Sequence, residues 1–265
     1  MAGRTQEEKG AAFRDLHAGE TFVIPNPWDA GTAKTLEALG FKALATTSGG
    51  FAFTLGRHDG AVTLDEVVAH AADLAAATDI PLSVDLENGY GREPEQAARA
   101  IAAVAAAGAV GGSIEDWDAD EGIYDAGLAA ERVAAAAEAR DQLGLAFTLT
   151  ARAENHIRDN PDLDDTIARL QAYEAAGADV LYAPGLASIE EIGAVCSAVS
   201  KPVNVLASSR MSLDEIFGAG AQRVSVGSKL TWVAVGAFAE AAERLRDGDL
   251  SVLAGRVHLD EWLRG

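Results

Sequence analysis

Short apolar runs alternate along this chain with longer stretches in which apolar residues recur at i, i+3 and i+4. The runs fall at 21–25, 42–46, 80–85, 110–115, 146–151, 179–183, 202–206 and 222–226. Each is short and apolar, several are rich in β-branched residues, and each predicts a strand buried on both faces. Between them, spacings such as Ala97-Ile101-Val104-Ala105 and Ile167-Leu170-Tyr173-Glu174 predict helices with one face turned inward. Several helical stretches close on a glycine just before the next strand, at Gly40, Gly108, Gly144 and Gly177, as a C-cap requires. Eight such repeats from Thr21 to about Arg246, with no break in composition, predict one α/β domain over 1–265. A doubly wound open sheet is the alternative. The count of eight favours closure into a (β/α)8 TIM barrel, with 246–265 a C-terminal helical extension. That extension, Leu250 to Leu263, is apolar enough to pack on something, a neighbouring subunit being one candidate.

Length agrees, since 265 residues matches the roughly 250 that such a barrel needs. The single cysteine, Cys196, excludes an intramolecular disulfide and suits a reducing compartment. The N-terminal stretch is charged, and no run reaches the roughly 18 apolar residues of a membrane span. A cytoplasmic protein is therefore expected. A net charge of −20 argues against nucleic acid and anionic membranes as partners. It still permits a small anionic substrate where a metal and an arginine sit locally.

A barrel of this kind carries its chemistry at the C-terminal strand ends. The third predicted strand ends in Asp85-Leu-Glu87-Asn-Gly-Tyr90-Gly91, with two carboxylates two residues apart and so on one face. Such hard oxygen donors suit Mg2+, or Mn2+, rather than zinc. The fourth strand ends in Glu115 and Asp116, and the fifth in Thr150-Ala-Arg152. The seventh carries Asn204. The second is followed by Thr47 and Ser48-Gly49-Gly50, whose amides could cradle a carboxylate, and then by Asp59. Each residue also has a plainer role open to it: helix caps for Asp85 and Glu87, an ion pair for Glu115, a turn for Asp59, and charge balance for Arg152. No lysine closes a strand, which disfavours a Schiff-base aldolase.

With those motifs in place, the chain resembles the isocitrate lyase / phosphoenolpyruvate mutase superfamily. The likeness rests on Asn26-Pro-Trp-Asp29, Thr46-Thr-Ser-Gly49, Asp85-Leu-Glu-Asn-Gly-Tyr-Gly91, Ile114-Glu-Asp116, Thr150-Ala-Arg152 and Pro202-Val-Asn204-Val-Leu206. The resemblance implies Asp85 as direct metal ligand, with Glu87, Glu115 and Asp59 holding metal waters. Arg152 would bind the substrate carboxylate and the developing enolate. The Ser48, Gly49 and Gly50 amides would clamp the other end, and Asn204 would be a further polar group of the pocket. It also implies a homo-oligomer, dimer or tetramer, that exchanges terminal helices.

Departures from the pattern narrow the activity. Isocitrate and methylisocitrate lyases carry a cysteine loop after the fourth strand, and phosphoenolpyruvate mutases a lysine-containing gating loop. Here that loop reads Asp116-Trp-Asp-Ala-Asp-Glu-Gly-Ile-Tyr-Asp125 and has neither. The expectation is a Mg2+-dependent C–C lyase or decarboxylase for a small 2-oxo or 2-hydroxy dicarboxylate, working through an enolate. The alternatives are P–C chemistry on phosphonopyruvate or phosphoenolpyruvate, and a catalytically silent dicarboxylate-binding barrel. Tyr124, Tyr90, Thr47 or an aspartate of the 116–125 loop is expected to supply the acid or base.

Overall fold

The computed structural model describes residues 3–255 and 259–263. All eight apolar runs form strands: β1 Phe22–Ile24, β2 Leu44–Ala45, β3 Leu82–Asp85, β4 Gly111–Glu115, β5 Thr148–Arg152, β6 Val180–Tyr182, β7 Val203–Leu206 and β8 Arg223–Ser225. They pair in parallel in the order β1-β8-β7-β6-β5-β4-β3-β2. The sheet is a nearly closed barrel. At the seam, the Ala45 amide donates to the Pro25 carbonyl at 3.1 Å. Asn26 reinforces that seam, donating to the Thr46 carbonyl while its Oδ1 accepts from the Val226 and Gly227 amides.

Helices α1 Gln6–Ala18, α2 Ala30–Ala38, α3 Ser48–Thr54, α4 Leu64–Ala77, α5 Pro94–Ala106, α6 Ala126–Asp141, α7 Leu163–Ala175, α8 Ile189–Ala198, α9 Leu213–Gly218 and α10 Lys229–Arg246 follow in turn. Capping boxes at Thr5/Glu8, Thr63/Glu66 and Ser212/Glu215 start α1, α4 and α9 by satisfying first-turn amides. Gly40, Gly108, Gly144 and Gly177 all take the positive φ expected of helix ends that turn into a strand.

Strand alternation divides the chain into two environments. Val84, Ile114, Leu149, Ala151, Val203, Val205 and Val224 point outward and join the inner faces of the helices in the main hydrophobic core. The intervening positions, Ser83, Asp85, Ser113, Arg152, Asn204, Arg223 and Ser225, point into the barrel and line a cavity. The barrel interior is therefore polar. Its base is closed by a smaller apolar cluster of Phe13, Phe22, Ile24, Ala43 and Val110, with α1 lying across it.

Two elements depart from the predicted pattern. The Ser48-Gly49-Gly50 segment, expected to be an open cradle, is the first turn of α3, with Thr47 as its N-cap. The 116–125 segment contains a small hairpin, Trp117–Asp118 against Gly122–Ile123. No helix among the described residues is long and apolar enough to cross a membrane. On α10 only Thr231 is buried, whereas Val233 and Phe238 are 69% and 74% exposed. The extension beyond it includes the helical turn Leu250–Ala254; residues 256–258, 264 and 265 lie outside the described set.

Candidate active site

Arg152 closes β5 and points across the mouth of the barrel into a cluster of carboxylates. Its guanidinium lies 2.9 Å from Asp85 Oδ1, 3.0 Å from Glu115 Oε2 and 2.8 Å from Glu154 Oε1. Parallel register explains the meeting with Glu115, which is the direct partner of Arg152 on β4. Arg158, stacked on the Trp117 ring, adds a second cation 3.2 Å from Glu154 and 3.6 Å from Glu115. Burial acts to lower the Arg152 pKa, but Glu115, Glu154 and Asp85 outweigh it and hold the group charged. Burial pushes Glu115 well above the usual carboxylate range despite Arg152.

Glu87 reaches this cluster by an unexpected route. Strand β3 ends at Asp85, so alternation does not place Glu87. Instead Glu87 and Tyr90 adopt left-handed backbone, φ 48° and 62°, and Glu87 donates its amide to Asp85 Oδ1 at 3.3 Å. Such backbone in non-glycine residues is strained and persists only where surroundings enforce it. Arg132 does so from α6, donating to the carbonyls of Asn88, Gly91 and Arg92. Burial, then the negative charges of Asp85 and Asp59, push the Glu87 carboxyl up to about 7. Its Oε1 is buried without a well-formed hydrogen bond, and the Tyr90 hydroxyl offsets the rise only in small part.

These donors suit the Mg2+ that the sequence implies. They are all oxygens, and the buried Glu87 oxygen beside two further carboxylates is relieved by a cation. Among the described residues no group of three or more His, Cys, Asp or Glu side chains stands ready to hold a metal ion, so the fit rests on the type of donor and not on a formed ligand set.

The cavity inside the mouth has a volume of about 150 Å3. It gathers Thr47, Ser48, Asp59, Asp85, Arg152 and Asn204 from the sequence-predicted set. Gly49 and Gly50 lie behind it. A Cβ on Gly49 would stand 2.9 Å from Ser228 Oγ, and one on Gly50 2.6 Å from Thr47 Cγ2. The Ser48 amide is engaged by Asp85 Oδ2 and the Gly50 amide by Thr47 Oγ1. Glu87, Glu115 and Tyr90 line an adjoining cleft instead, where the Tyr90 hydroxyl is buried without a well-formed hydrogen bond. Tyr124 lies away from the cavity. It is 3% exposed, and its hydroxyl contacts Asn88 and Asp118.

Four further residues stand here to which the sequence assigns no role in the site. Glu154 stands two residues beyond Arg152, the same spacing that singled out Asp85 and Glu87. Ser228 Oγ sits 2.7 Å from Thr47 Oγ1. Tyr182, on β6, places its ring 5.3 Å from the Arg152 guanidinium, and burial pushes its hydroxyl up to about 12 despite that cation. Arg223 lines the cavity from the start of β8, where no motif signals it.

A polar-lined parallel barrel with carboxylates and two arginines gathered at its mouth defines the class, a (β/α)8 barrel with its candidate site at the C-terminal strand ends. Within that class, the sequence matches the phosphoenolpyruvate phosphomutase family over residues 13–246. The chain belongs to that family, and so to the isocitrate lyase / phosphoenolpyruvate mutase superfamily. It is 49% identical to a crystal structure from Burkholderia cenocepacia J2315 whose name leaves open lyase or mutase. The TM-score is 0.94, over 98% of this chain and 97% of that one. It is 30% identical over 251 residues to an oxaloacetate decarboxylase of Rhodopseudomonas palustris, covering 89% of this chain and 84% of the other. It is also 30% identical over 206 residues to a 2-methylisocitrate lyase of Halalkalibacterium halodurans, covering 76% and 68%. The protein is therefore an enzyme.

Proposed function

We propose that this enzyme is a Mg2+-dependent C–C lyase or decarboxylase for a small 2-oxo or 2-hydroxy dicarboxylate. The observation that carries the reading is Arg152, buried among Asp85, Glu115 and Glu154 at a small polar cavity. The likeness to an oxaloacetate decarboxylase and to a 2-methylisocitrate lyase supports it. Mg2+, held by Asp85 with Glu87, Glu115 and Asp59 around it, would supply Lewis-acid stabilisation of enolate charge. Arg152 pairs with the substrate carboxylate and adds fixed positive charge where the enolate forms. For oxaloacetate, the C3–C4 bond breaks, its electron pair moves to the 2-oxo oxygen, carbon dioxide leaves, and one proton is delivered to C3. Tyr182 and the Thr47–Ser228 pair are the cavity hydroxyls placed to bind and to hand over that proton. A decarboxylase needs no more, which suits a 116–125 loop without cysteine or lysine.

The test is pyruvate release from oxaloacetate, 2-methylisocitrate, 2,3-dimethylmalate and phosphonopyruvate, with Mg2+ and with EDTA. Asp85→Ala serves as the control for spontaneous decay. The expected result is metal-dependent release from a carbon acid, reduced about 10³-fold or more in the variant. Turnover of phosphonopyruvate alone, with matching phosphate, would move the enzyme to P–C chemistry. Silence on all four, with no metal-dependent oxalate binding, would overturn the reading.

We also infer a homo-oligomer in which the exposed face of α10 is covered. Trp232, Val233 and Phe238, with Leu250 and Leu253 beyond, form an apolar surface that a lone chain would leave in water. Light scattering should show a multimer that Phe238→Asp shifts toward the single-chain mass. A wild-type monomer would refute it.

A further inference from the structure

Two arginines occupy the barrel interior, and Arg223 is the one without an acidic partner among the described residues. It opens β8 with its side chain inward, and Asn204 is its register partner on β7. Its Nε donates to Asn204 Oδ1 at 2.9 Å and its Nη2 to Thr150 Oγ1 at 2.9 Å. Its Nη1 lies 3.1 Å from His17 Nε2. All three acceptors are neutral, and they use three of five N–H groups. The residue is 4% exposed. Burial pushes its pKa down to about 10, so it remains a cation at neutral pH.

A buried charge without a counter-charge is costly, and proteins ordinarily pair it. Arg223 lines the floor of the same cavity whose mouth holds Arg152, Asp85 and Ser48. Asn204 is itself fixed, donating to Ser225 Oγ at 3.0 Å. The guanidinium is thus held in place beneath the substrate pocket with its charge unspent. The missing anion can enter with the ligand.

We propose that Arg223 recognises a second carboxylate, making the pocket selective for dicarboxylates over monocarboxylates of the same length. The assignment rests on the oxo- or hydroxy-acid reading above. One end of the acid is held at the mouth by Arg152, and the other carboxylate is drawn to Arg223 on the floor. Arg223 is a binding residue in this scheme and takes no part in bond cleavage.

Calorimetric titration of the full chain with Mg2+ tests it, using oxalate, (S)-malate and 2-hydroxybutyrate as probes. Oxalate reports the mouth alone, and the other two differ by the distal carboxylate. Wild type should bind malate about tenfold or more tighter than 2-hydroxybutyrate. Arg223→Gln should bring that ratio to within about twofold, with oxalate changed no more than about threefold. Asn204→Asp guards against a folding failure. It keeps the arginine and places a carboxylate against its Nε, so it should hold the thermal midpoint while losing the malate preference.

The proposal is overturned if Arg223→Gln keeps the preference, or if all three probes weaken together as the thermal midpoint falls. It is also overturned if wild type binds oxalate but shows no preference for malate, and the proposed function then stands without it. If wild type does not bind oxalate with Mg2+, the functional reading itself falls, and this assignment with it.

Discussion

The mouth and the floor of this barrel are each centred on an arginine, in opposite electrostatic settings. At the mouth, Arg152 is outnumbered by Asp85, Glu115 and Glu154, with Glu87 and Asp59 close by. At the floor, Arg223 donates to an amide, a hydroxyl and an imidazole and has no acidic partner among the described residues. The same cavity is therefore short of positive charge at one end and of negative charge at the other. A metal ion answers the first shortage and an anionic substrate the second. Binding the pair completes what folding leaves unbalanced.

The largest effect that could break this comparison is on Arg152. Arg152→Gln leaves three buried carboxylates with only Arg158 nearby. It should cost about 3–5 kcal/mol in a denaturant titration and lower turnover about 10²–10³-fold. Arg223→Gln exposes no opposite charge and should cost clearly less. Equal losses in the two variants would show that the floor arginine is as structurally indebted as the mouth arginine, and the contrast would fail.

A third buried arginine sharpens the contrast as a purely structural case. Arg132 is 1% exposed, packs under the Tyr124 ring and donates to the carbonyls that hold the 88–92 turn. Arg132→Met should release the left-handed Glu87 and Tyr90 backbone. The expected loss is about 2 kcal/mol of stability with a rise in the Mg2+ concentration needed for half-maximal activity. Every ligand should weaken together, unlike the selective loss predicted at the floor. An unchanged metal requirement would mean that the turn is held by other contacts.

The mouth was largely legible in the sequence and the floor was not, for a physical reason. Alternation along a strand that ends in Asp85 or Arg152 says which way that side chain points, and barrel topology says that strand ends meet. Strand alternation predicts Glu87 beside Asp85, whereas a left-handed turn and not the strand brings it there. Ser48-Gly49-Gly50 reads as a cradle because its consecutive amides are unobstructed by a Cβ. The Thr47 cap makes it the first turn of a helix instead. Tyr124 is a candidate from the sequence because its loop could close over the site, yet its amide binds the Asp116 carbonyl at 2.7 Å and its side chain is buried. Arg223 opens its strand, the end usually assigned to stability. Only the path of its long side chain carries the charge to the cavity.

The smallest predicted effect concerns what lies beneath Arg223. His17, from α1, packs edge-on against Phe13 and Phe22. A guanidinium can only donate, so His17 Nε2 must accept from Arg223, and Nδ1 carries the proton toward the Phe13 carbonyl at 2.8 Å. Burial, then the Arg223 charge, pushes the imidazole down to about 3. The unfolded chain therefore takes up this proton first, near pH 6.5, and the folded state resists it. The stabilisation is fully present above pH 6.5 and is lost as pH falls toward 3. His17→Gln keeps an acceptor for Arg223 but cannot be protonated. Between pH 7 and pH 4.5 its stability should fall by about 2 kcal/mol less than that of wild type, the carboxylates contributing alike to both. Parallel pH profiles for the two proteins would mean that His17 charges without penalty. Arg223 would then have another anion near it, and the floor would not be the unbalanced end of the barrel.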